Sequence, residues 1–174
     1  MKVRYPAWAQ SGLNVTVNGR PEPVSAAPGS YFTLERQWKK GDVVQVRLPM
    51  SLRQEAMPDD PKTIALLYGP LVLAGDLGRE GLSESVRYGP SVPPMRRVPP
   101  VEVPALVVAD AAKVLAGVKP VPGSSRSFRT EGIGRPRDVT LVPFYSASDQ
   151  RYTVYWNVYA PAEWEAHQAA LDAA

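Results

Sequence analysis

The sequence predicts an all-β fold: an antiparallel, jelly-roll-like β-sandwich with an inserted, loop-rich β unit and a short C-terminal helix. Proline is the first observation behind this. With 19 prolines and 13 glycines in 174 residues, few segments escape a residue that lacks the amide donor and clashes with the preceding helical turn. Strand-period alternation is the second. Leu13-Asn14-Val15-Thr16-Val17 runs apolar and polar by turns up to Asn18-Gly19, a strong short-range hairpin signal. The third is the stretch 63–75, apolar almost throughout, which reads as strand covered on both faces.

Taken in order, residues 2–5 form a short extended piece ending at Pro6. After the Asn18-Gly19 turn, residues 20–24 return at an edge, because Pro21 and Pro23 cannot donate to a ladder. Residues 31–38 alternate again, with Phe32, Leu34 and Trp38 sharing a parity. Lys39-Lys40-Gly41-Asp42 turns the chain, and 43–48 comes back with Val44, Val46 and Leu48 on one face. A short strand at 52–56 precedes the Pro58-Asp59-Asp60-Pro61 turn, and Gly69-Pro70 puts a kink between strand segments 63–68 and 71–74.

From about 76 to 100 the chain is rich in Gly, Pro, Arg and Ser without periodicity, the mark of a long surface loop or insertion. Residues 101–108 read as a strand despite Pro104, and Asp110 suits the cap of a short helix at 111–116. Strands at 128–130 and 139–142 flank a turn at 132–136. A further strand, 151–156, carries Tyr152, Val154 and Trp156 on one face, which makes Trp156 a core residue. The helix at 161–172 has proline in its first turn, Glu163 and Glu165 toward its positive end, and Trp164, Gln168 and Leu171 along one stripe. The expected domains are a sandwich from 1–76 and 138–160, an insertion or small second β unit at 77–137, and a terminal helix at 161–174.

Composition narrows the function. The net charge is +3 with basic residues scattered, whereas nucleic acid or an anionic membrane asks for a concentrated patch; neither is expected as a partner. Cysteine is absent and His167 is the single histidine. That excludes thiolate nucleophiles, disulfides and Cys/His zinc sites, and leaves a Ser-His-Asp triad only if His167 is its base. No cofactor is expected in this chain. No apolar stretch reaches the roughly 20 residues that span a bilayer. The N-terminus has no hydrophobic leader and reads as a strand begun abruptly, as of a chain cut from a longer one.

Few residues carry candidate chemistry. Asp59 and Asp60 are adjacent, so in an extended segment they point opposite ways, as turn residues do and a glycosidase pair does not. Glu80 and Glu84 fall in the loop region and read as solvated. His167 lies on an exposed-looking helix face without a sequence partner. Asp149 and Arg151, beside tyrosines, could orient a sugar's hydroxyls and could equally fasten a strand end. Trp8, Tyr145, Tyr155, Trp156 and Tyr159 are the aromatic sugar-stacking candidates, against the commoner role of such rings in a core. The candidate carbohydrate or domain contacts are therefore Trp8, Tyr145, Asp149, Arg151 and Tyr155.

Several phrases occur together in a set order: Val3-Arg4-Tyr5-Pro6-Ala7-Trp8, Val17-Asn18-Gly19, Trp38-Lys39-Lys40-Gly41-Asp42-Val43-Val44, Leu48-Pro49-Met50, Ala65-Leu66-Leu67-Tyr68-Gly69-Pro70-Leu71-Val72, and Leu141-Val142-Pro143-Phe144-Tyr145 with Arg151-Tyr152. In this the chain resembles the region C-terminal to the helical barrel in bacterial glycoside hydrolases of family 127, the β-L-arabinofuranosidase-like enzymes. Ser146-Ala147-Ser148 departs from the Arg-Leu-His of that family's pattern. The resemblance implies a parent enzyme in which an (α/α)6 barrel carries a zinc-bound cysteine nucleophile and a glutamate acid/base, none of which this chain supplies. It implies a non-catalytic accessory sandwich whose partner is that barrel. Direct binding of carbohydrate is the second expectation. A sandwich parted from its barrel should expose an apolar patch, with Pro6, Trp8, Trp164 and Leu171 as candidates, and cover it by self-association.

Overall fold

The computed structural model describes residues 1–82 and 100–173. They are all-β apart from short 3-10 turns and one terminal helix. Glu84 and most of the expected 76–100 loop lie outside the described residues. Strand pairing groups the chain otherwise than the expected 1–76, 77–137, 138–160 and 161–174. Two compact units form, one from Met1–Leu52 with Tyr68–Pro70, the other from Arg53–Leu67 with Leu71–Ala174.

In the first unit β1 (Lys2–Tyr5), β2 (Asn14–Val17), β3 (Arg20–Glu22), β4 (Ser30–Thr33) and β5 (Val44–Arg47) make two sheets. β1 pairs antiparallel with β4, and β2 lies between β3 and β5. Alternation sends Tyr5 and Phe32 from one sheet, and Val15 and Val17 from the other, into a shared core with Ala9, Leu13 and Leu34. This sandwich supplies its own second layer, so it needs no strand from beyond residue 138. Asn18 and Gly19 both adopt positive φ, +51° and +77°, as a two-residue type I′ hairpin requires. Asn18 then ties the hairpin to the next turn: its Nδ2 donates to Asp42 Oδ1 and its Oδ1 accepts from Val43 N, both at 2.8 Å. Strand β4 stops short of the expected 31–38. Its last ladder bond runs from Leu34 N to Met1 O at 2.8 Å. Trp38 therefore misses the core and lies exposed, with the Arg36 guanidinium 5.3 Å from its ring.

The second unit holds β6 (Leu52–Ala56), β7 (Thr63–Tyr68), β8 (Leu71–Asp76), β9 (Ala105–Val107), β10 (Val118–Pro120), β11 (Phe128–Thr130), β12 (Gly134–Arg135), β13 (Thr140–Pro143), β14 (Tyr152–Thr153) and β15 (Tyr155–Tyr159). The sheet runs β10-β11-β13-β8-β7-β15-β9-β12, with β14 on β8 and β6 on β7. The described strands of the expected 77–137 insertion therefore extend the same sheet. Gly69-Pro70 makes a reversal between neighbouring strands in place of the expected kink. Gly69 has φ +56°, which suits the first central position of a type II′ turn, and Pro70 takes the second. Asp110 Oδ1 accepts from Ala112 N at 3.0 Å and caps a 3-10 helix, Ala111–Gly117.

The organising run is core, as its unbroken apolarity predicts: Ile64 and Leu66 of β7 and Leu73 of β8 are nearly fully buried with Leu106, Leu141 and Trp156. The expected strand 151–156 is two strands that break at Val154. Thr153 Oγ1 donates to Tyr155 O at 2.8 Å and accepts from Tyr155 N at 3.3 Å, closing the bend. The break explains why Tyr152 is exposed while Trp156, of the same parity, is not.

Candidate functional site

Strand β15 sets the site. Its core parity places Trp156 and Val158 inward, and the other parity turns Tyr155, Asn157 and Tyr159 outward. Directly after it comes α1 (Pro161–Asp172), started by Pro161, whose missing amide costs nothing in a first turn. Glu163 closes that turn: its Oε2 accepts from Ala160 N at 3.1 Å, and its Oε1 meets Lys62 Nζ at 2.7 Å. The Lys62 ammonium, with the Ala160 amide behind it, holds the Glu163 carboxyl below its ordinary value, and the same bond to Glu163 raises Lys62.

One turn on, Trp164 and His167 stand three residues apart on one helix face and close over Tyr159. The Tyr159 and His167 rings stack 5.1 Å apart at 19°, Tyr159 and Trp164 lie 5.6 Å apart, and Trp164 and His167 5.7 Å. His167 is thus half-buried among aromatics, a correction to the expectation of an exposed face. The spacing to Trp164 puts both rings on one helix face, but only the fold brings Tyr159 beneath them. Between helix and strand runs a cleft of about 170 Å³, lined by Tyr155, Asn157, Tyr159, Trp164, His167 and Leu171 together with Glu102 and Val103. Thr63 Oγ1 lies 2.6 Å from Asp60 Oδ2 and 3.0 Å from Asn157 Oδ1, and its single proton is shared between these two acceptors.

Of the expected contact residues, Tyr155 alone lines this cleft. Trp8 belongs to the first unit and packs half-buried on its core. Tyr145 sits on the 3-10 turn Phe144–Ser146 with its hydroxyl accepting from Arg126 Nη1 at 3.1 Å. Asp149 occupies a left-handed turn at φ +57°. The Arg151 main chain fastens the strand end, accepting from Leu77 N at 2.9 Å and donating to Gly78 O at 2.8 Å. Arg151 also lines a second cleft of about 500 Å³ with Glu80, Glu102 and Arg137. Asp60 is the turn residue its neighbours imply: the Thr63 hydroxyl and the Lys62 amide hold its carboxyl below the ordinary range. Among the described residues no group of three or more His, Cys, Asp or Glu could hold a metal ion, and no helix is long and apolar enough to cross a membrane.

Comparison with known proteins divides the chain where its strands do. Residues 1–50 match the family model described as the middle domain of GH127 β-L-arabinofuranosidase, and residues 53–158 match DUF4986, a domain of unknown function. No curated protein matches. A solved structure named as a glycoside hydrolase is similar at 20% identity and a TM-score of 0.56, covering 90% of this chain and 27% of its own. A GH127 β-arabinofuranosidase is similar at 20% identity and a TM-score of 0.53, covering 91% and 27%. A GH127 β-L-arabinofuranosidase from Geobacillus stearothermophilus T6 stands at 17% identity and the same TM-score, covering 91% and 26%. The chain thus spans about a quarter of the length of the solved structures it matches.

Proposed function

The chain belongs to the DUF4986 domain family through residues 53–158, and its residues 1–50 match the GH127 middle domain; from that premise we propose that it is a non-catalytic accessory portion of a GH127 glycoside hydrolase. In this reading it packs against a catalytic (α/α)6 barrel supplied by the rest of the enzyme. The observation that carries it is a concentration of exposed rings. Within residues 144–152, Phe144 is 47% exposed, Tyr145 65% and Tyr152 46%, with the Phe144 and Tyr152 rings 5.2 Å apart. Apolar surface of this kind, dense in one segment, supports a covering partner. In isolation it would drive self-association. The reading assigns no metal or cofactor to these residues.

The test produces this chain and the segment encoded upstream of it as separate polypeptides. A complex in sedimentation, with hydrolysis of an aryl arabinofuranoside only when the upstream segment is present, is the expected result. Turnover by this chain alone, lost on substituting one of its own residues, overturns it. A second reading, direct contact with carbohydrate, is favoured by the aromatic cleft beside α1.

A further inference from the structure

We infer that the cleft between β15 and α1 binds a single neutral sugar ring, stacked on Tyr155; the inference rests on the reading that this chain serves a carbohydrate-active enzyme. Four features of the cleft support it. The first is size: at about 170 Å³, it lies below the range of several hundred cubic ångströms for drug-sized ligands and suits one ring better than an oligosaccharide. The second is the state of its aromatic faces. Tyr159, Trp164 and His167 are packed on one another within 5.1 to 5.7 Å, so their rings build the wall. Tyr155, 54% exposed, presents the face left open.

The third feature is strand register. Trp156 is wholly buried in the core behind Tyr155, so the alternation of the strand sends the Tyr155 side chain out of the core. The fourth is the polar inventory: Asn157 and His167 line the same space. Together they offer both donors and acceptors, as an array of hydroxyls requires. Among the described residues neither lysine nor arginine lines the cleft, which disfavours an anionic ligand. A cationic ligand prefers several ring faces converging on one point, and here the Tyr159 and His167 faces are stacked on each other.

His167 is the chain's single histidine, so its Cε1–H proton resonance is a unique reporter of the cleft wall. The 174-residue chain would be titrated with methyl β-D-galactoside and with methyl α-L-arabinoside, with glycerol and choline as controls. The expected result is a saturable shift of the His167 signal with at least one glycoside and none with glycerol or choline. Tyr155→Ala should weaken the interaction by about tenfold, the worth of one stacking contact. Tyr155→Phe, which keeps the ring, and Tyr145→Ala, outside the cleft, should bind as the parent does. Absence of a saturable shift up to tens of millimolar, a shift with choline alone, or unchanged binding by a folded Tyr155→Ala protein overturns the inference. Any of these with the upstream complex intact rejects the cleft alone, while sugar binding without a complex rejects the accessory role alone.

Discussion

Replacing Gly75 by alanine would place a methyl carbon 2.4 Å from Trp156 Cη2, 2.5 Å from Cζ2 and 3.2 Å from Val139 Cγ1. The shortest of these contacts is about 1.1 Å inside the carbon–carbon optimum. Neither side can yield easily. Gly75 is paired to Leu141 on one strand and to Thr153 on another. Trp156 is fully buried and paired to Ile64 of β7. The alanine gains a few tenths of a kcal/mol from a less flexible unfolded chain, and the overpacking costs about 1–3 kcal/mol. We expect the upper part of that range, since the clash is with a ring in place of a flexible chain end. Urea unfolding measured by far-UV circular dichroism would give the difference. A double-mutant cycle makes the test specific. Trp156→Phe shortens the ring facing Gly75 and removes an indole N–H that is buried without a hydrogen-bond partner, so Gly75→Ala should cost much less in that background. A Gly75→Ala protein as stable as its parent, or an equal cost in both backgrounds, would refute the reasoning.

Two further predictions concern pH. Burial pushes the Asp138 carboxyl up, but the amides of Gly132 and Gly134, at 2.8 and 2.9 Å, with the Thr130 hydroxyl and the Arg129 charge, bring it net below its ordinary value. Its contribution to stability is therefore present above the ordinary carboxylate pKa and is lost as pH falls through the depressed one. Asp138→Asn should flatten the acid limb of the stability profile, and an acid limb that survives the substitution unchanged would show that other carboxylates set it. Glu163, lowered by Lys62, follows the same sign. Lys62, raised by Glu163, contributes below its ordinary value and loses that contribution as pH climbs through the raised one. Carbon-13 titration of Glu163 in the Lys62→Met chain should show the carboxyl returning toward its ordinary range, with high salt producing part of the same change in the parent.

Local chemistry was the legible part of this chain. Asn18-Gly19, the Asp110 cap and the helix at Pro161–Asp172 each announce themselves by residues a few positions apart, and each forms as those residues dictate. The membership of strands in sheets was not legible, because it depends on contacts that no window contains. β9 lies parallel to β15 through Leu106 and Val158, and nothing in either short segment points to the other. The break at Val154 hid for a similar reason: alternation continues across it, while β14 pairs with β8 and β15 with β7. Site residues divided the same way. Tyr155 could be read from its outward parity, whereas His167 gains its place only once Tyr159 is known to lie beneath the helix.

The position of β15 in its sheet bears on how the molecule is made. It is the last strand in the described sequence, yet in space it lies between β7 and β9, antiparallel to one and parallel to the other. During synthesis the first unit has all of Met1–Leu52 free of the ribosome long before Trp156 has been translated, and its hairpins can close from local contacts. The second unit must wait. Until β15 arrives, β7 and β9 present unpaired edges beside the apolar faces of Ile64, Leu66 and Leu106, the kind of surface that captures other chains. A ribosome stalled before codon 155 would thus carry a finished domain and an adhesive one on the same nascent chain. Rapid passage through the codons of β15, or a chaperone resting on β7 until it is made, would protect the yield of folded protein more than any stabilisation of the first unit.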